Sequence, residues 1–187
     1  MTPLTIPGPT FEDIFNLGHV SRWHTKPMAV PQTLADHEGK VALLADRLGR
    51  HLGDRYDDAV AYDTLMWALD HDMPENPHGD VPNPAKRWLN ARLPRPYDEM
   101  VAEDWWAERG QAVPEYHPLA VALGRVADVL EAAGRYWIYG LDQQLRQDMI
   151  FEAITTTRLL LPELLHVVME ALEAAGVPKA LVAEAAA

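Results

Sequence analysis

No stretch of this chain alternates apolar and polar residues over several positions with β-branched residues in the majority, whereas apolar residues recur at helical spacing along most of its length. That pattern restricts it to helix-on-helix packing. The clearest case is Thr33 to Leu48, TLADHEGKVALLADRL, where Thr33 reads as an N-cap and Leu34, Val41, Leu44, Ala45 and Leu48 form one stripe. Thr10 to Leu17 reads as a short capped helix, and Asp57 to Asp72 as a longer one ended by Pro74. The segment Glu75 to Pro96 holds five prolines and predicts a long ordered loop, with one helical turn around Ala85 to Asn90. Tyr97 to Arg109, Leu119 to Ala133 and Leu141 to Ala175 complete the helices, the last broken near Pro162. The predicted fold class is a compact single-domain, all-α helical bundle. It covers residues 1–187, with 1–9 as an extended lead and 177–187 as a frayed tail.

Charge narrows the function. Sixteen basic residues against twenty-eight acidic ones give a formal charge of -12, which argues against a nucleic-acid polymer as partner. A small anion would need a local cluster of Arg and Lys, or a metal. With no cysteine in the chain, any metal site must be built from His, Asp and Glu. The start MTPLTIPGPT lacks the basic and apolar regions of a signal peptide, and no segment approaches the roughly 18 apolar residues of a membrane span. The expected location is the cytoplasm, away from membranes.

Polar residues on apolar faces are the informative ones. His37 lies three residues after Leu34 and four before Val41, so helical periodicity points its imidazole inward. On its own such a residue is more often a core histidine bonded to a backbone carbonyl. His71 and Asp72 end the rows Val60, Thr64, Trp67 and Ala61, Leu65, Ala68, so they border the core unless the last turn is solvated. A buried Asp72 would require a cation. Asp128, between Gly124 and Ala132 in LAVALGRVADVLEAAG, reads by periodicity alone as a solvated position. Three helices can thus offer ligands toward one place, and two imidazoles with two carboxylates suit a divalent first-row metal with open positions.

The set Arg22-Trp23 in VSRWHTKP, His37 in TLADHEGKVA, His71-Asp72 with Glu75 in HDMPE, GDVPNPAK, and Asp128 in RVADVLEA resembles the HD-domain metal phosphohydrolases, within them the 5′-deoxynucleotidase branch. The five blocks cover about residues 10 to 160. The resemblance implies an HD-type bundle in which His37, His71, Asp72 and Asp128 hold a divalent ion (Co, Zn, Mn or Mg). It makes Glu75 the residue that orients water or moves a proton, and Asp80 a support for the leaving group. Arg22, Lys86 and Arg125 would hold phosphate oxygens, and Trp23 would lie against a deoxyribose and its base. It also implies a homo-oligomer, a dimer or a hexamer. Two departures bear on base preference: Leu-Ala-Asp-His-Glu stands where the family usually has Val-Ala-Glu-His-Ser, and Asn76, Pro77 and His78 replace a more apolar run.

Bland roles go to the remaining candidates: His19, His51 and His117 as solvated residues, His166 as packing, and Trp105-Trp106 as core or oligomer contacts. There is no GxxxxGK[ST] loop, GxSxG elbow or HExxH pair. The leading expectation is a metal-dependent phosphohydrolase that removes the 5′-phosphate of deoxynucleoside monophosphates. The alternative is a dATP or dNTP triphosphohydrolase that releases tripolyphosphate, as in compact phage members of the superfamily. A third reading is a non-catalytic nucleotide-binding or regulatory HD protein, which predicts a damaged ligand set.

Overall fold

A computed structural model describes residues 9–187, so the lead expected over 1–9 lies, Pro9 apart, outside the described residues. Thr10 opens α1 (Phe11–Asn16) with a capping box, its hydroxyl accepting from the Asp13 amide at 3.1 Å while the Asp13 carboxylate accepts from the Thr10 amide at 2.8 Å. Thr33 and Asp57 cap α2 (Leu34–Gly49) and α3 (Asp58–Asp70) without the reciprocal bond, their side chains accepting from the amides of Asp36 and Val60. The proline-rich stretch holds α4 (Asn83–Asn90), longer than the single turn expected, and is followed by α5 (Tyr97–Glu108). Then come α6 (Pro118–Tyr139), α7 (Gln143–Leu160), α8 (Leu165–Ala174) and α9 (Lys179–Ala186). The all-α class is the observed one.

The apolar stripes of α2, α3, α6 and α7 meet in one core built around Val41, Ala45, Ala68, Leu123, Ala127, Ile150 and Ile154, and α8 and α9 close its far end. A second, smaller cluster of Leu17, Leu34, Met73, Trp105 and Trp106 seats α1 and α5 beside the start of α2. Arg109 locks that layer, donating to Asp13 at 2.6 and 3.1 Å with its guanidinium 3.7 Å above the Trp105 ring. Trp105 and Trp106 are therefore core residues.

Three expectations are corrected. Helix α6 runs six residues past Ala133 to Tyr139, because the next turn is held by tertiary contacts. There Tyr136 is fully buried, and Arg135 donates to the carbonyls of Val30 and Pro31 and to Asp36. The tail from 177 is not frayed: α9 buries Val182 and Ala185 against the core. His166 is exposed rather than packed. In addition, the loop around Arg22 contains a two-stranded antiparallel ribbon, β1 (Ser21–Arg22) with β2 (Gln32–Thr33), pairing Arg22 with Gln32. Strands of two residues are too short to leave an alternating pattern. Among the described residues no helix is long and apolar enough to cross a membrane.

Candidate metal centre

Helix α2 delivers His37 and α3 delivers His71 and Asp72, with one ligand atom from each lying within 4.8 Å of the others. His37 is fully buried, as its place on the stripe required. Its Nδ1 is 2.9 Å from Glu131 Oε2, so its partner is a carboxylate and not a backbone carbonyl. The His71 Nδ1 is 2.9 Å from the Ala68 carbonyl. A carbonyl only accepts, so His71 carries its proton on Nδ1. Both Nε2 atoms are thereby left facing inward, buried and with no hydrogen-bond partner. Around them, Asp72 Oδ2 lies 3.6 Å from the His37 Nε2 and 3.5 Å from the His71 Nε2, and Asp128 Oδ1 from α6 lies 3.2 Å from the His37 Nε2.

Orphaned imidazole nitrogens beside two carboxylates make a donor set that fits a divalent cation of the zinc or cobalt type. The electrostatics agree. Burial by itself would lower the His37 pKa, yet the adjoining Asp128 and Glu131 carboxylates outweigh it and push the imidazole up to about 9. Burial would likewise raise Asp72, but the charges of His71, Arg22 and His37 hold its carboxyl below the ordinary range. The pocket calls for positive charge at its centre.

Packing holds His71 in place. The Trp67 ring stacks on its imidazole, centroids 4.7 Å apart and planes 10° from parallel. Trp67 in turn lies against Gly124, where an added Cβ would meet Trp67 Cε3 at 1.9 Å. Only glycine lets α6 approach this ring. Gly124→Ala is therefore expected to cost about 3 kcal/mol of stability, the upper end for overpacking, as read by denaturant unfolding. Trp67→Phe in the same chain should restore part of the loss.

The remaining candidates divide between two cavities that share Asp72, Glu75, Asn83, Lys86 and Asp128. The first, about 310 Å³, is walled by Arg22, Trp23, Asp80, Lys26 and Arg87 among others. Four cations (Arg22, Lys26, Lys86 and Arg87) line it together with five carboxylates (Asp72, Glu75, Asp80, Asp128 and Glu152), so the cavity is not a basic patch and an anion held there would need the charge of a metal as well. Arg22 donates to Asp72 Oδ2 at 2.5 Å across fifty residues of chain. Glu75 is 7% exposed. Burial first, and the Asp72 charge next, push its carboxyl up to about 8. Its Oε1 accepts from Lys86 at 3.0 Å, and its Oε2 is buried without a partner. Lys86 also sits 2.9 Å from Asp98, so two carboxylates engage its ammonium.

Asp80 reaches across to the loop that carries Trp23. Its carboxylate accepts from the Trp23 amide at 3.3 Å. Trp23 has φ of 62°, the only positive value at a non-glycine among the described residues. That conformation is costly for a bulky side chain and needs outside support. Arg125 is exposed and lines the second cavity, about 520 Å³, together with Trp67, His71, Tyr97 and Tyr116. The structure thus groups Arg22, Trp23 and Asp80 on one side, sets Arg125 on the other, and leaves Glu75 and Lys86 between them. Glu131 and Gln32 were not among the sequence candidates. The three-residue spacing of Asp128 and Glu131 on one apolar helix was the available signal.

The 5′-deoxynucleotidase YfbR-like family profile matches residues 10–107, just over half of the chain. A dATP triphosphohydrolase of Salmonella phage PMBT28 is 31% identical over 134 residues, which span 69% of this chain and 66% of the relative, slightly under two thirds of its length. Among solved structures, the HD phosphohydrolase DatZ of cyanophage S-2L, bound to dA and one catalytic Zn²⁺ ion, superposes with a TM-score of 0.70. It covers 90% of this chain and 97% of its own at 22% identity, a likeness of fold.

Proposed function

The chain belongs to the YfbR-like 5′-deoxynucleotidase family, and from that membership we propose that it hydrolyses deoxynucleoside 5′-phosphates at the cluster of His37, His71, Asp72 and Asp128. The observation that carries the reading is the pair of buried, unpartnered Nε2 atoms converging on Asp72. A divalent ion held by these four residues supplies Lewis-acid polarisation of the phosphoryl group and acidification of water.

The chain's own residues do the rest. Arg22, already oriented by Asp72, offers its guanidinium to phosphate oxygens in the first cavity. Glu75, steadied at Oε1 by Lys86, keeps Oε2 free to take a proton from water or deliver one to the leaving oxygen. Lys86 acts on Glu75 more directly than on phosphate. Asp80 braces Trp23, whose ring forms the wall for the deoxyribose and base.

Of the two substrate classes, the triphosphate is favoured. A second cavity, holding Arg125 and sharing Lys86, opens beside the same cluster and gives room beyond a single phosphate. The phage relative carries that activity in its name. With zinc, cobalt, manganese or magnesium supplied, dATP should give deoxyadenosine and tripolyphosphate, with weaker turnover of ATP and dAMP. Chromatography of the products decides the matter: phosphate from dAMP alone would favour the monophosphatase, and no product from any deoxynucleotide would sink both. We place the reaction in the cytoplasm. We also propose that the protein self-associates, with the exposed Leu43 and Ile138 on the face of α2 and α6 as contacts, which sedimentation would check.

A further inference from the structure

We propose that Gln32 and Glu131 are positioning residues that join the Trp23 wall to the ligand His37 through one polarised hydrogen-bond relay. The Trp23 Nε1–H donates to Gln32 Oε1 at 2.9 Å, Gln32 Nε2 donates to Glu131 Oε1 at 2.8 Å, and Glu131 Oε2 lies 2.9 Å from the His37 Nδ1. Gln32 is 1% exposed and Glu131 5%, so water replaces neither of the two bonds that join Gln32, Glu131 and His37.

The direction of every bond is fixed by its ends. An indole nitrogen can only donate and a carboxylate can only accept. Gln32 must therefore turn its oxygen to Trp23 and its amide to Glu131. Glu131, accepting at one oxygen from Gln32, accepts at the other from His37. That requires a proton on the His37 Nδ1 and aims Nε2 at the metal position, the arrangement in which an outer carboxylate orients a metal-binding histidine.

The relay also explains how two distant features share one geometry. Gln32 sits opposite Arg22 in the β1–β2 ribbon and immediately precedes the cap of α2, while Glu131 is one turn beyond Asp128 on α6. A single chain of three bonds thus ties the strained Trp23 backbone, held at its amide by Asp80, to the ligand on α2. If Glu131 became an amide, the relay would contain two amides between two donors. With zinc on His37 Nε2 and the proton on Nδ1, one of the three bonds would have to break: at His37, between the two amides or, if Gln32 flips, at the indole; without zinc, His37 could instead move its proton to Nε2 and accept the new amide at Nδ1.

The inference rests on the metal reading above, and its test separates the two. In Glu131→Gln, zinc affinity measured by chelator competition should fall about tenfold to a hundredfold. In the same variant the Trp23 indole N–H resonance, assigned with Trp23→Phe, should shift and lose protection from exchange although Glu131 does not touch Trp23. Gln32→Met, a neutral change of similar length, should move the same resonance and weaken zinc binding less. A merely structural role for Glu131 would lower stability without moving the indole signal. Should Glu131→Gln not fold, the His37 Nδ1–H resonance of the zinc-loaded Gln32→Met protein reports on the same coupling. Unchanged Trp23 and His37 signals in a folded variant, or zinc affinity of Glu131→Gln within about twofold of the parent, overturns the relay. Parent protein that binds no zinc overturns the metal reading and the assignment of these residues to it, whereas absence of turnover with zinc binding intact overturns only the substrate.

Discussion

Asp72→Ala is expected to abolish both turnover and metal binding. One oxygen of Asp72 is the hub of the site: Arg22 donates to it at 2.5 Å, and it lies 3.5 and 3.6 Å from the two unpartnered imidazole nitrogens. Removing it would take a ligand from the proposed cation site and leave the Arg22 guanidinium with no partner in its half-buried position. A metal typically supplies several kcal/mol of charge stabilisation in the transition state, so the loss should reach about a thousandfold or more in kcat/KM. Asp72→Asn keeps the shape and one acceptor, and should bind zinc more weakly without collapsing the pocket. Stopped assays on dATP together with calorimetric zinc titration check both variants. Retention of more than a tenth of parental turnover by Asp72→Ala would remove Asp72 from the reaction.

Glu75→Gln should separate proton transfer from binding. The amide that replaces the carboxylate can still accept from Lys86 at Oε1, so the position of the side chain is preserved. At the other end, an NH₂ group stands where the unpartnered Oε2 lay, and it can neither take nor give the proton. A positioned acid or base contributes about 10² to 10⁴ in rate, and that loss should appear in kcat with KM nearly unchanged. Lys86→Met provides the contrast. It frees the carboxylate without removing it, and should give a smaller loss that Lys86→Arg partly repairs. A Glu75→Gln enzyme within tenfold of the parent kcat would assign proton transfer elsewhere.

Local signals in the sequence carried the helices well. Thr10, Thr33 and Asp57 each cap a helix where their place before an apolar stripe said they would, and Pro162 marks the break between α7 and α8. The inward aim of His37 followed from the same periodicity. Other features depend on partners far along the chain and leave no local trace. Continuation of α6 through Gly134 rests on Arg135 reaching back to residues 30 and 31, and the order of α9 rests on Val182 meeting the core. Local propensity at those points argued for an end, and tertiary burial overrode it.

The site divides along the same line. At the candidate centre His71 and Asp72 were legible because a buried carboxylate at the end of an apolar face has few inexpensive explanations, whereas periodicity read Asp128 as solvated and only the family resemblance drew it, with His37, into a ligand set. Their partners were not. Nothing near Asp80 announces that it would hold the amide of Trp23, fifty-seven residues earlier, and nothing near Lys86 announces that Glu75 and Asp98 would occupy it. Arg125 and Asp128 are three apart on one helix, yet only Asp128 reaches the His37 side, because Arg125 turns into the second cavity.

Anomalous diffraction from crystals of the zinc-loaded protein, recorded on both sides of the zinc edge, tests the central claim most directly. The expected result is one strong peak between His37 Nε2, His71 Nε2 and the carboxylates of Asp72 and Asp128, absent from crystals of Asp72→Ala. A map with no peak there, in protein that still hydrolyses dATP, would contradict the account.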